Sequence, residues 1–87
     1  MKVENMVSSK GNPVPNQFII IDKGKVYFQS YRSIIAVKEG EKVTLDYYFW
    51  DFSVTTGKYR NDFLGEGIAE TRKKVKDGIY KLANLNK

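Results

Sequence analysis

The chain has 87 residues, no cysteine, no histidine and a formal net charge of +5. That length leaves room for one core, and the missing thiols exclude disulfides, thiol catalysis and thiolate metal sites, which fits a cytoplasmic protein. No apolar run approaches the roughly 18–20 residues of a membrane span, and Met1–Lys10 lacks the apolar stretch of a secretion signal.

Met1–Pro15 is polar and crowded with turn formers (Ser8, Ser9, Gly11, Asn12, Pro13, Pro15), so residues 1–15 read as a flexible or pinned N-terminal arm ahead of one domain over 16–87. Gln17–Ile21 is a short β-branched run ended by Asp22-Lys23-Gly24-Lys25, whose glycine suits a tight hairpin. Val26–Tyr31 alternates, with Val26, Phe28 and Ser30 on one side and Tyr27, Gln29 and Tyr31 on the other. Ser33–Lys38 is a third apolar stretch, and the charged turn Glu39–Lys42 leads into a fourth strand over Val43–Phe49. Four strands joined by short connections predict an antiparallel meander.

After Trp50 the cap-type residues Asp51, Ser53, Thr55 and Thr56 predict a helix start near Thr56. Tyr59, Phe63 and Leu64 give it one apolar stripe and Gly65 ends it after about two turns. A second helix from about Gly67 to Asp77 puts Ile68, Thr71 and Val75 on one face and a basic surface on the other, with Gly78 as its stop. Residues 79–85 read as an edge strand or as coil. The expected architecture is α+β: a four-stranded antiparallel sheet with two short C-terminal helices on one face. One Trp, six Tyr and five Phe supply its core, each able to bury roughly 150–250 Å².

Without His or Cys the commonest proton-transfer groups and nucleophiles are missing, so the expected mode of action is binding without catalysis, with no cofactor and no metal site. Asp46 and Asp51, with Glu39 or Glu41, are the carboxylates that could together hold Mg²⁺; a strand-edge charge for Asp46 and a turn or cap role for Asp51 are the stronger reading. Charge is one-sided: residues 1–57 carry seven Lys/Arg against six Asp/Glu, and residues 58–87 eight against four. A positive C-terminal third favours an anionic partner, nucleic acid foremost. Arg72, Lys73, Lys74 and Lys76 on one helix surface, with Lys58 and Arg60 nearby, form the expected phosphate-contacting set; a solvated helix face is the plainer alternative. Thr55-Thr56-Gly57-Lys58 at a helix start offers amides, hydroxyls and a cation to one phosphate, or simply caps the helix. Tyr27 and Tyr31 on an open sheet face are candidates for base stacking, against an ordinary place in the core.

Asn16-Gln17-Phe18, then Tyr27-Phe28-Gln29-Ser30-Tyr31 with Ser33 and Ile35-Ala36, then Trp50-Asp51-Phe52-Ser53 with Thr55-Thr56-Gly57-Lys58-Tyr59 and Phe63-Leu64-Gly65 form a set in fixed order over most of the chain. The set resembles a family of small proteins of tailed bacteriophages and related mobile elements, a domain of unknown function. The resemblance implies a setting in the host cytoplasm and a host-directed binder. Its partner would be RNA or DNA, or alternatively a host defence protein blocked without catalysis, as anti-CRISPR and similar anti-defence proteins do.

Overall fold

Three two-residue turns organise the sheet. Lys23 and Gly24 both have positive φ (51° and 82°), the combination whose twist matches two antiparallel strands, so Pro13–Asp22 (β2) folds directly onto Lys25–Ser30 (β3). Tyr31-Arg32 joins β3 to Ser33–Glu39 (β4), and Gly40-Glu41 joins β4 to Lys42–Asp46 (β5). The computed structural model describes residues 1–86.

The sheet has six strands in sequence order, not four. Residues expected as an arm form Lys2–Val7 (β1), antiparallel to β2, and the start of β2 itself. β1 left no apolar alternation to read because it is an edge strand, exposed along its length except at half-buried Met6. Pro13 and Pro15 sit where β2 runs beyond the end of β3, so their missing N–H groups take nothing from that ladder. On the other side Lys81–Ala83 (β6) pairs with β5 in parallel, which makes the sheet mixed. The two helices, Val54–Leu64 (α1) and Ile68–Lys76 (α2), form the crossover between β5 and β6.

The register fixes which side chains the helices cover. Ile19, Phe28, Ala36, Leu45 and Leu82 lie in one row across β2 to β6 and face the helices. Phe28, Ala36 and Leu45 are fully buried there with Ile35, Tyr59, Phe63 and Tyr80, and the Phe28 and Phe63 rings lie 5.7 Å apart. Both Ile35 and Ala36 turn inward because the β3–β4 pairing slips between Phe28 and Gln29. Thr71 of α2 is fully buried, with Val75 packed on the core, as the expected apolar face requires. The next row, Ile20, Tyr27, Val37 and Thr44, points to the other side, which no helix covers.

α1 is longer than expected, three turns rather than two. It starts at Val54 because Ser53 is the cap, accepting the Thr56 N–H at 3.1 Å, and it ends where Gly65 takes φ 71°. β5 stops at Asp46 rather than continuing to Phe49. Asp46 Oδ2 accepts the N–H groups of Tyr48 (3.1 Å) and Phe49 (2.9 Å), which turns the chain away from the ladder.

Candidate nucleic-acid interface

Asp46 is the pivot of the aromatic turn that follows it. Its side chain is buried, and beside the two turn amides its Oδ1 accepts the Leu85 N–H (2.8 Å) and the Asn86 amide (3.0 Å). Burial pushes this carboxyl up, but the bonds from Leu85, Phe49, Asn86 and Tyr48 outweigh it and hold Asp46 below its ordinary range. The turn so fixed presents Tyr48, Phe49 and Phe52 as a cluster with ring centroids 4.8–5.6 Å apart. Phe52 immediately precedes the cap of α1, the position from which an apolar side chain usually packs on the helix's fourth residue. Here that residue is Gly57, which offers nothing to pack on, and Phe52 stays 60% exposed. An aromatic before a cap with glycine at that spacing was the signal available in the sequence for this otherwise unread residue.

Tyr31 stands opposite, 58% exposed. Its φ of 56° is the left-handed conformation that bulky residues avoid, and its N–H donates at 2.6 Å to the carbonyl of Asn16, itself at φ 66°. Holding Tyr31 there costs about 1–2 kcal/mol. Tyr31, Phe49 and Phe52 wall a depression of about 240 Å³ whose floor is Ile35. Ser30, Ser33, Ser53 and Thr56 also line it. On the far side of Phe52 and Ser53, which both depressions share, lies an open groove of about 760 Å³ along the start of α1. Lys58, Arg60 and Arg72 line it with the acidic Asp51 and Asp62.

The structure separates the expected phosphate contacts into two groups. Arg60 is buried: its Nη1 donates to the Trp50 carbonyl (2.7 Å) and to Asp51 Oδ1 (3.4 Å), and its Nη2 to Asn61 Oδ1 (3.1 Å). Burial pulls the Arg60 guanidinium below its ordinary value, the Asp51 charge opposes this, and neighbouring Arg72 adds to the pull. Gly57 makes room for it, since a Cβ there would stand 3.3 Å from Arg60 Nη2. Lys74 is tied to Glu66 (2.7 Å) and Glu70 (3.3 Å), and the Glu66 bond holds its ammonium well above the usual lysine value. Thr56 is also buried, its hydroxyl sharing a 3.1 Å bond with Ser30. Thr55 and Lys58 are exposed on the first turns of α1, and Arg72 is exposed while bonding Asp51 Oδ2 at 2.9 Å. Lys73 and Lys76 are exposed on α2 and, among the described residues, make no ion pair. Tyr27 is not near Tyr31's depression; it lies on the uncovered face of the sheet.

Glu66, between the helices, gathers Lys74 and Tyr80 on Oε1 and Thr71 on Oε2 (2.7–2.8 Å). Burial raises this carboxyl, but the bonds from Lys74, Thr71 and Tyr80 outweigh it and leave Glu66 low, while burial and the Glu66 bond push the Tyr80 phenol up. The two aspartates weighed as metal ligands are engaged separately, Asp46 with backbone and Asn86, Asp51 with two arginines. Among the described residues no group of three or more Asp or Glu is close enough to hold a metal ion, and no helix is long and apolar enough to cross a membrane. No curated protein and no solved structure matches the chain. A family model matches residues 1–80, and the chain belongs to that family, described as a family of unknown function (DUF8033).

Proposed function

We propose that the chain is a phage or mobile-element accessory protein that binds single-stranded nucleic acid in the host cytoplasm, without catalysing a reaction. The observation that carries this reading is the juxtaposition of the aromatic depression with the cation-lined groove across Phe52 and Ser53. A base stacked between Tyr31 and Phe52 would place its phosphate at the start of α1, where Lys58, Thr55 and the outer edge of Arg72 are accessible. Stacking on exposed aromatics beside a basic surface is how sequence-tolerant single-strand binders work. The strained backbone at Tyr31 supports it, because strain of this kind collects where a side chain must be held for use. Lys73 and Lys76 extend the positive surface along α2.

Fluorescence anisotropy with a labelled single-stranded oligonucleotide tests the reading. Three phosphate contacts give a salt slope of about −2, so affinity falls about 20-fold from 50 to 200 mM salt. No affinity for RNA or DNA at low salt would end it. A second reading, a non-enzymatic inhibitor of a host defence protein, draws on one specific observation: Asp51 already occupies Arg60 and Arg72, leaving an aromatic surface richer than its free charge. That reading expects a stoichiometric complex with a host protein that survives nuclease treatment.

A further inference from the structure

We propose that the uncovered face of the sheet is a self-association surface that pairs two copies of this chain face to face about a two-fold axis. Ile20, Tyr27, Val37 and Thr44 form a half-buried, mainly apolar row across β2 to β5 on that face. Phe18 and Ile34 extend it. No helix reaches these side chains. Among the described residues Leu85, anchored through its N–H to Asp46, comes round to line a shallow hollow of about 260 Å³ beside Tyr27, Val37 and Thr44, and Asn86 bonds the Ile34 backbone at the end of the row.

The identity of the occupant follows from the charges bordering this row. Asp22, Lys25, Glu39 and Lys42 are cross-strand partners in sequence, so the next row on the same face reads minus, plus, minus, plus from β2 to β5. Among the described residues Lys25, Glu39 and Lys42 make no ion pair, and Asp22 has only the Met1 ammonium at 3.9 Å. An alternating row of even length is complementary to its own reverse. A two-fold axis parallel to the strands, between β3 and β4, lays β2 of one copy over β5 of the other and β3 over β4. Asp22 then faces the second copy's Lys42, and Lys25 faces its Glu39. The same operation sets Tyr27 against Val37 and brings Ile20 over Thr44, where the hollow lies.

Two sheets stacked this way have their strands aligned, a common packing. An isologous contact needs only this self-complementary patch. Four strands about 4.8 Å apart and about six residues long present on the order of 400 Å² each, so the pair buries roughly 800 Å², below the roughly 1,000 Å² expected of a stable specific interface. The dimer is therefore expected to be weak and concentration-dependent. The depression and groove at α1 lie on the helix side and stay open in it.

Sedimentation equilibrium of the full chain from micromolar to millimolar concentration tests this directly. The wild type should pass from monomer to dimer; a monomer throughout overturns the proposal. Two double variants then read the charge row. Lys25→Glu with Lys42→Glu makes it all acidic, and Asp22→Lys with Glu39→Lys makes it all basic. Each alone should weaken dimerisation more than about 100-fold, because like charges now meet across the axis. An equimolar mixture of the two should recover dimers. Carrying all four substitutions together inverts the alternation and should dimerise like the wild type, which separates interface repulsion from a folding defect. Dimers that persist in either double variant, or a mixture that stays monomeric, would also overturn the proposal.

Discussion

Replacing Asp46 by asparagine tests the idea that one buried carboxylate locks the aromatic turn to the segment after β6. Asp46 is 1% exposed and accepts four hydrogen bonds, two on each oxygen. An amide keeps one acceptor and presents a donor at the other oxygen's place. Either Tyr48 and Phe49, or Leu85 and Asn86, then lose their acceptor. Two hydrogen bonds to a charged group are worth at least about 1.5 kcal/mol each, so the loss is about 3 kcal/mol. A chain of this length has roughly 4–13 kcal/mol in all. Thermal unfolding followed by circular dichroism should show Tm falling by roughly 12–24 °C. The pH dependence adds a second readout. A carboxyl held below its ordinary value in the fold contributes stability that is fully present above the unfolded value near ~3.9 and is lost as pH falls through the folded one. Wild-type stability should therefore decline below about pH 5, and the gap between wild type and Asp46→Asn should narrow over that window. A fall in Tm of less than about 3 °C at neutral pH would refute the argument.

Gly57→Ala should gain about 1 kcal/mol from helix propensity alone, yet Arg60 stands in the way. The substitution should lower Tm in the wild type and raise it in an Arg60→Ala background, a non-additivity measured by a double-mutant cycle. Tyr31→Gly should relieve the left-handed strain and raise stability by about 1 kcal/mol in urea titration. In the same protein, oligonucleotide affinity should drop by about 5-fold or more as a stacking surface is lost. Glu66→Gln removes the charge that Lys74 pairs with and should cost about 2 kcal/mol, with the Tyr80 phenol titrating closer to its ordinary value in ultraviolet absorbance.

How much of this was legible in the sequence depended on how local the determining contacts are. The alternation in Val26–Tyr31 and the spacing of Ile68, Thr71 and Val75 identify β3 and α2 because each pattern reports burial against one face. Gly65 ends α1 as its position implies, since the left-handed turn is decided within a few residues. β1 and β6 are edge strands, one almost wholly exposed and the other three exposed residues long, so neither carries a burial pattern. Asp46 looks like an edge charge until partners 39 and 40 residues away reach it. The basic cluster divides for a similar reason: whether Arg60 faces solvent or lies across Gly57 depends on Trp50 and Asp51 folding back over α1. The residues that line the depression come from two stretches of the chain, 30–35 and 49–56, and only Tyr31 among them stands out as a sheet-surface aromatic.

The order of the strands also bears on how the chain reaches its fold. β1 to β5 are each laid down beside the strand just made, so every new pairing closes a short loop and the meander can zip up hairpin by hairpin. β6 is different: its parallel partner lies across a crossover that contains both helices. The Asp46 lock, which needs Leu85 and Asn86 in place, closes across 39 and 40 residues of chain, a separation that favours late closure in folding and early release in local opening.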